Sequence, residues 1–185
     1  SASYMTAFNA LNGVPTTGNE DLLRTMLREE WGWNGLLLSD WRAVEELMAH
    51  GVAETRSDAA RLALEASVDM DMVADVYAGD LKQAIEGDQA LVPLLDQAVR
   101  RILDAKRKLG LFDDPYKYHD AAREAEVMLS PDHRAAARDI AERSMVLLKN
   151  EGDVLPVAKG AQKIALVGAL ADDAMLQLGS WRAQG

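Results

Sequence analysis

The chain has 185 residues, 49% of them hydrophobic and 27% charged, with a formal net charge of −10 and no cysteine. That much apolar material can pack a core for one domain or somewhat more, which excludes a disordered chain. The acidic balance excludes a nucleic-acid partner, whose phosphates need a basic surface, and suits a neutral substrate; the lack of cysteine excludes disulfides and thiolate metal sites. No apolar run is long enough to cross a membrane. No charged-then-apolar leader opens the chain, and Ser1 looks like a cut inside a longer sequence.

In chain order, residues 3–8 predict a strand, left through a turn at Asn12 and Gly13, a dipeptide that favours tight reversal. Thr17 or Asn19 can cap a helix running to about Glu30, with Leu22, Leu23, Met26 and Leu27 on one face. Beyond the loop 31–35, Leu36, Leu37 and Leu38 read as a short strand buried on both faces, the pattern of a parallel sheet covered by helices. Asp40 then falls where that strand ends, and the carboxyl ends of parallel strands build the binding crevice of α/β folds. The blander role for Asp40 is a cap for the helix predicted over 43–50 and closed by Gly51. Trp41 offers a flat apolar face suited to stacking on a sugar ring or a base.

Ser57 and Asp58 open another helix, and residues 68–73 alternate as a strand that projects Asp69 and Asp71 from one face. Two such carboxylates either bind a cation or substrate hydroxyls, or else meet arginines or cap the next loop. The most regular helix is predicted over 91–109, with Pro93 in its first turn and Gly110 as its stop. Its basic second half, Arg100, Arg101, Lys106, Arg107 and Lys108, reads as an anion patch or as the cations a helix C-terminus attracts. Residues 109–116 are rich in turn formers and signal a linker. Ser130, Pro131 and Asp132 start a helix to about Glu142, an apolar run follows over 144–150, and residues 163–168 read as a buried parallel strand. That strand ends in Gly168, but the further glycines of a dinucleotide-binding fingerprint are missing. His50, His119 and His133 share no metal-ligand spacing, and Ser39 lacks the Gly-x-Ser-x-Gly elbow of a serine hydrolase.

Residues 26–43 contain two aliphatics (Met26, Leu27), a basic residue (Arg28), an acidic one two positions on (Glu30), Gly35, three leucines, Ser39, Asp40 and a small residue (Ala43). This order and spacing resembles the active-site signature of glycoside hydrolase family 3, of the periplasmic β-glucosidase type. Residues 5–15, 109–116 and 141–156 are similar to other segments of the family, as are Leu178, Gly179, Ser180 and Trp181 taken with Gly185.

The resemblance implies fold class α/β: the C-terminal part of a (β/α)8 TIM-type barrel over 1–116, a linker over 117–130, and the start of an α/β sandwich domain over 131–185. It implies a retaining glycosidase that releases a terminal β-linked sugar through a covalent intermediate on Asp40, the nucleophile. Such chemistry needs a second carboxyl group roughly 5 Å away to protonate the leaving oxygen. In many relatives that group is a glutamate further along the chain than Gly185; within the chain the candidate is Glu46, whose duller reading is a first-turn helix carboxylate. Trp41 would stack on the sugar. Phe8 stands where many relatives carry a tyrosine whose hydroxyl approaches the nucleophile, so here it can only wall the pocket or fill core.

No metal or organic cofactor is implied. The implied partner is a β-glucoside or oligosaccharide, without nucleic acid or membrane insertion, with a homodimer possible for the full-length enzyme and a periplasmic or secreted location. A complete barrel needs roughly 250 residues. Only three candidate strands precede the linker, so the chain is expected to be an interior piece, poorly stable and inactive alone. The rival readings are a carbohydrate-binding relative that has lost turnover and, from residues 163–168, a nucleotide-binding protein.

Overall fold

The computed structural model describes residues 1–160 and 163–181. The chain divides into two compact units, Ser1–Ala121 and Ala122–Gly185.

In the first unit, β1 (Ser3–Met5) lies parallel to β4 (Leu36–Leu38), with Ser3 opposite Leu36 and Met5 opposite Leu38. Between them comes a small hairpin, β2 (Ala10–Leu11) and β3 (Val14–Pro15). Its turn places Asn12 at φ 54° and Gly13 at φ 82°. Positive φ at both central residues is what a two-residue hairpin of matching twist requires, and Asn-Gly supplies it at least cost. A ten-residue helix of wide π winding (Asp21–Glu30) returns the chain to β4. Asn19 caps it, its Oδ1 accepting from the Leu22 amide at 3.0 Å, and Trp31 N–H closes it five residues back on Met26 O at 3.0 Å.

Four α-helices follow: α1 (Glu46–Ala49), α2 (Arg56–Glu65), α3 (Val76–Gly87) and α4 (Val92–Lys108). The cap of α2 is Thr55, in a reciprocal box with Asp58, so the helix opens before Ser57. A cluster of Leu23, Leu27, Leu37, Val44, Leu47, Leu64, Val68 and Val76 fills the space between β4 and the helices. Each such aliphatic stabilises by about 1.5–3 kcal/mol on leaving water.

Residues 68–73 do not form the predicted strand. Only Met70 bridges to Leu38, in parallel. Side-chain oxygens take the places that ladder partners would fill: Asp69 Oδ2 accepts from the Leu37 amide at 2.9 Å, and Ser39 Oγ accepts from the Met72 amide at 2.8 Å. The chain then turns away through positive φ at Val73 and Asp75. Asp69 and Asp71 therefore do not form a paired face. Asp69 meets Arg28 and Arg101, while Asp71 Oδ2 accepts from the Val76 amide at 2.7 Å and so caps α3.

The second unit contains α5 (Ala121–Val127), which starts at its border, and α6 (Pro131–Ser144), the latter with Ser130 as cap and proline in its first turn. Residues 163–168 are not a buried strand: Ile164, Leu166 and Val167 are exposed, Val167 at 89%, and no strand is formed there. The apolar run 145–148 is exposed as well, and Gly185 lies outside the described residues.

The expected C-terminal part of a (β/α)8 TIM-type barrel leading into an α/β sandwich is thus overturned. The described residues form a largely helical fold with two small two-stranded sheets and no closed barrel. A barrel needs every strand paired on both sides. Here β4 has a ladder on one side and a single bridge on the other.

Asp69 has no exposed side-chain surface. Replacing it with Ala leaves two largely buried guanidinium groups without their shared carboxylate, and should lower stability in urea unfolding by about 3–5 kcal/mol. Limited proteolysis should cut within residues 145–170 before any site in the first unit, because no described residue of the second unit is buried. Intact 145–170 after cleavage between α2 and α3 would contradict this.

Candidate active site

Arg28 and Asp69 hold β4 in place. The Arg28 guanidinium donates to Gly35 O at 2.6 Å, Ser67 O at 3.1 Å and Asp69 Oδ2 at 2.8 Å, and lies over the Trp33 ring at 4.7 Å. Burial draws Arg28 below its ordinary pKa range, with Asp69 opposing that shift and Arg101 adding to it. Arg101 closes the cluster from α4, donating to Asp69 Oδ1 at 2.9 Å and to Asn34 Oδ1 at 2.9 Å. Gly35 is required by close approach, since a Cβ there would overlap the Trp33 ring and Ala2 O.

β4 then delivers Ser39 and Asp40 at its carboxyl end, beside Thr6 at the end of β1, whose amide donates to Leu38 O at 2.9 Å. Ser39 is fully buried. Its amide donates to Met70 O at 2.9 Å, and the Arg42 amide donates to Met72 O at 2.9 Å. Asp40 is half-buried, and its Oδ1 accepts from the Trp41 amide at 2.6 Å. Its Oδ2 has no hydrogen-bond partner among the described residues. The arrangement leaves one oxygen oriented and the other available to an incoming group.

Trp41 is 47% exposed and Phe8 40% exposed, so both present apolar surface at this end of the strands. Glu46 opens α1, and its neighbour Glu45 is the carboxylate held by Arg42 and Arg56. Among the described residues Glu46 makes no ion pair. Three clefts found in the structure lie elsewhere. The largest, 640 Å³, sits at the amino ends of β1 and β4 around Trp33, Asn34 and Arg101, and none of the three is lined by Asp40, Trp41, Phe8 or Glu46.

The residues that sequence reasoning underrated are arginines. The sequence marks Arg28 only as a letter of a signature, and Arg101 only as part of a basic helix end. In the structure that end is largely neutralised, with Arg107 and Lys108 on Asp104 and Arg100 near Asp96. Arg56 joins Glu45, Asp80 and Ala74 O, its charged form favoured chiefly by the Asp80 hydrogen bond. An arginine three positions before a small-residue helix face carries no local sign of these partners. Burial, reinforced by Asp71 and Asp69, pushes the Tyr77 phenol well above its ordinary range, and the hydroxyl donates to Val68 O at 2.9 Å.

A parallel strand with a carboxylate at its carboxyl end fits a glycosidase family, and residues 1–105 match the family model described as "Glycosyl hydrolase family 3 N terminal domain". The chain belongs to glycosyl hydrolase family 3. It is 41% identical to a periplasmic beta-glucosidase of Salmonella typhimurium, over 100% of this chain and 24% of the relative. It is 37% identical to a beta-xylosidase of Formosa agariphila, over 99% of this chain and 26% of the relative. Among solved structures, a beta-glucosidase from Listeria innocua in complex with isofagomine superposes with TM-score 0.68 at 42% identity, over 85% of this chain and 22% of that one. The chain spans about a quarter of the length of these relatives.

The Asp40 turn contains Arg42 at φ 57°, a left-handed conformation that costs an L-residue about 1–2 kcal/mol. Arg42→Gly and Arg42→Ala both lose the bridge to Glu45. The glycine variant should therefore be the more stable of the two by about 1 kcal/mol, read from their urea midpoints. Equal midpoints would mean that the turn is not held in this conformation.

Proposed function

We propose that this chain is part of a retaining glycoside hydrolase of β-glucosidase type, in which Asp40 attacks the anomeric carbon and forms a covalent glycosyl intermediate. The observation that carries the reading is the turn after β4. One carboxylate oxygen of Asp40 is fixed by the Trp41 amide, the other is unengaged among the described residues, and an exposed indole stands beside it. Retaining hydrolysis needs a positioned carboxylate of this kind, with an acid/base partner across the bond to be broken. Trp41 and Phe8 supply apolar surface for a sugar ring, and Trp41 stacking is worth about 1 kcal/mol.

Glu46 is the acid/base candidate within the chain. It shares α1 with the core residue Leu47, and its carboxylate is spared the ion pairs that occupy Glu45. Relatives named for β-glucosidase and β-xylosidase activity both support a β-linked sugar, and the former supports the glucoside. The periplasmic name of one relative supports an extracytoplasmic location. The family match over residues 1–105 supports residues 1–116 as the end of the first domain, and we propose 117–130 as linker and 131–185 as the opening of the next.

In the protein translated from the whole gene, Asp40→Ala should lower kcat on an aryl β-glucoside by about 10⁴-fold or more, and should abolish labelling by a 2-fluoro-glucoside. Labelling at the parent rate would overturn the assignment. Sugar binding without turnover by the parent protein would favour the non-catalytic carbohydrate-binding alternative.

A further inference from the structure

Ser39 has no solvent exposure, and its hydroxyl is used twice. It donates to Asp40 O at 3.0 Å and accepts from the Met72 amide at 2.8 Å. Those two bonds reach across from the β4 turn to the segment that leaves Met70. The backbone closes the same gap on both sides, through Ser39 N–H to Met70 O and Arg42 N–H to Met72 O, each 2.9 Å. The side chain thus replaces the ladder partner that residues 68–73 fail to provide, at the residue immediately before Asp40. A buried amide left without an acceptor is costly, so the loop cannot drop this bond without moving.

We infer that Ser39 is a positioning residue for Asp40. Its hydroxyl couples the direction of the Asp40 backbone, and with it the Oδ1 bond to Trp41 N–H, to the segment 70–72. The inference rests on the reading of Asp40 as the attacking group. It assigns Ser39 no contact with substrate and no proton transfer. Losing the hydroxyl would let the Met72 amide pull away and tilt the carboxylate from its line of attack, which affects the covalent step more than sugar binding. Misplacement of a reacting group by about 1 Å can cost roughly 10²-fold in rate.

The test uses the protein from the whole gene and three substitutions: Ser39→Ala, Ser39→Cys and Ser39→Thr. Cysteine keeps the packing if alanine fails to fold, and threonine keeps the hydroxyl. The readouts are the rate of covalent labelling at saturating 2-fluoro-glucoside and the affinity for a competing sugar. Alanine and cysteine should slow labelling about 10- to 100-fold with sugar affinity unchanged, while threonine should stay within about threefold of the parent. The inference is overturned if all three label at the parent rate, if all three slow alike, or if the loss lies only in sugar affinity. Undiminished labelling of Asp40→Ala would instead remove the reading beneath it, so the two failures are told apart.

Discussion

The carboxylate of Asp69, shut away from solvent between Arg28 and Arg101, is the contact on which the first unit depends. Bringing charges out of water costs several kcal/mol per ion, and the cost is offset only where the geometry satisfies nearly every donor and acceptor. Here both oxygens of Asp69 are engaged, one by Arg101 and the other by Arg28 together with the Leu37 amide. The excess of two guanidinium groups over one carboxylate is spread into backbone carbonyls at Gly35 and Ser67 and into the face of Trp33. One side chain therefore joins the π-wound helix, the central strand and α4. These elements have no covalent reason to meet.

From that joint follows the place of Asp40. Arg28 pins the loop before β4, Asp69 pins the strand's middle, and Ser39 with the 70–72 segment pins its exit. A three-residue strand is too short to hold its direction through ladder bonds alone, since one side offers only a single bridge. Side-chain hydrogen bonds make up the difference. Arg24 contributes in the same way, donating from its guanidinium to Glu65 O at the end of α2 and to Leu64 O, which also accepts from the Ser67 amide.

What the sequence disclosed divides along the same line. The Asn12–Gly13 turn, the Asn19 cap, the proline start and glycine stop of α4 and the Ser130 cap are decided by neighbours a few residues away, so they were legible. Helix α3 went unread because its cap, Asp71, lies five residues before Val76 and acts across a loop with left-handed residues. Alternation over 68–73 suggested a strand because periodicity reports side-chain direction and says nothing of who supplies the opposite ladder. Residues 163–168 misled for a related reason: an apolar run becomes a buried strand only if other strands flank it, and there it stands exposed. The position of Asp40 was legible from the signature's spacing, while the function of the signature's own arginine was not. Its partners at Ser67 and Asp69 lie some forty residues on.

Asp69 and Asp40 illustrate how one residue type is held in opposite ways. Asp69 is saturated: two arginines and an amide leave it nothing to offer a ligand, and any change in its bonding would loosen three elements together. Among the described residues the Asp40 carboxylate accepts from one amide, just beyond the carboxyl end of β4. A nucleophile has to be oriented without being consumed by its orienting contacts, because each hydrogen bond that must be broken on attack adds to the barrier. On the proposed reading of Asp40 as the attacking group, the strong bonds lie one layer back, on Arg28, Ser39 and Asp69. The Asp40 carboxylate would then be aimed through its backbone, with Oδ2 unengaged among the described residues.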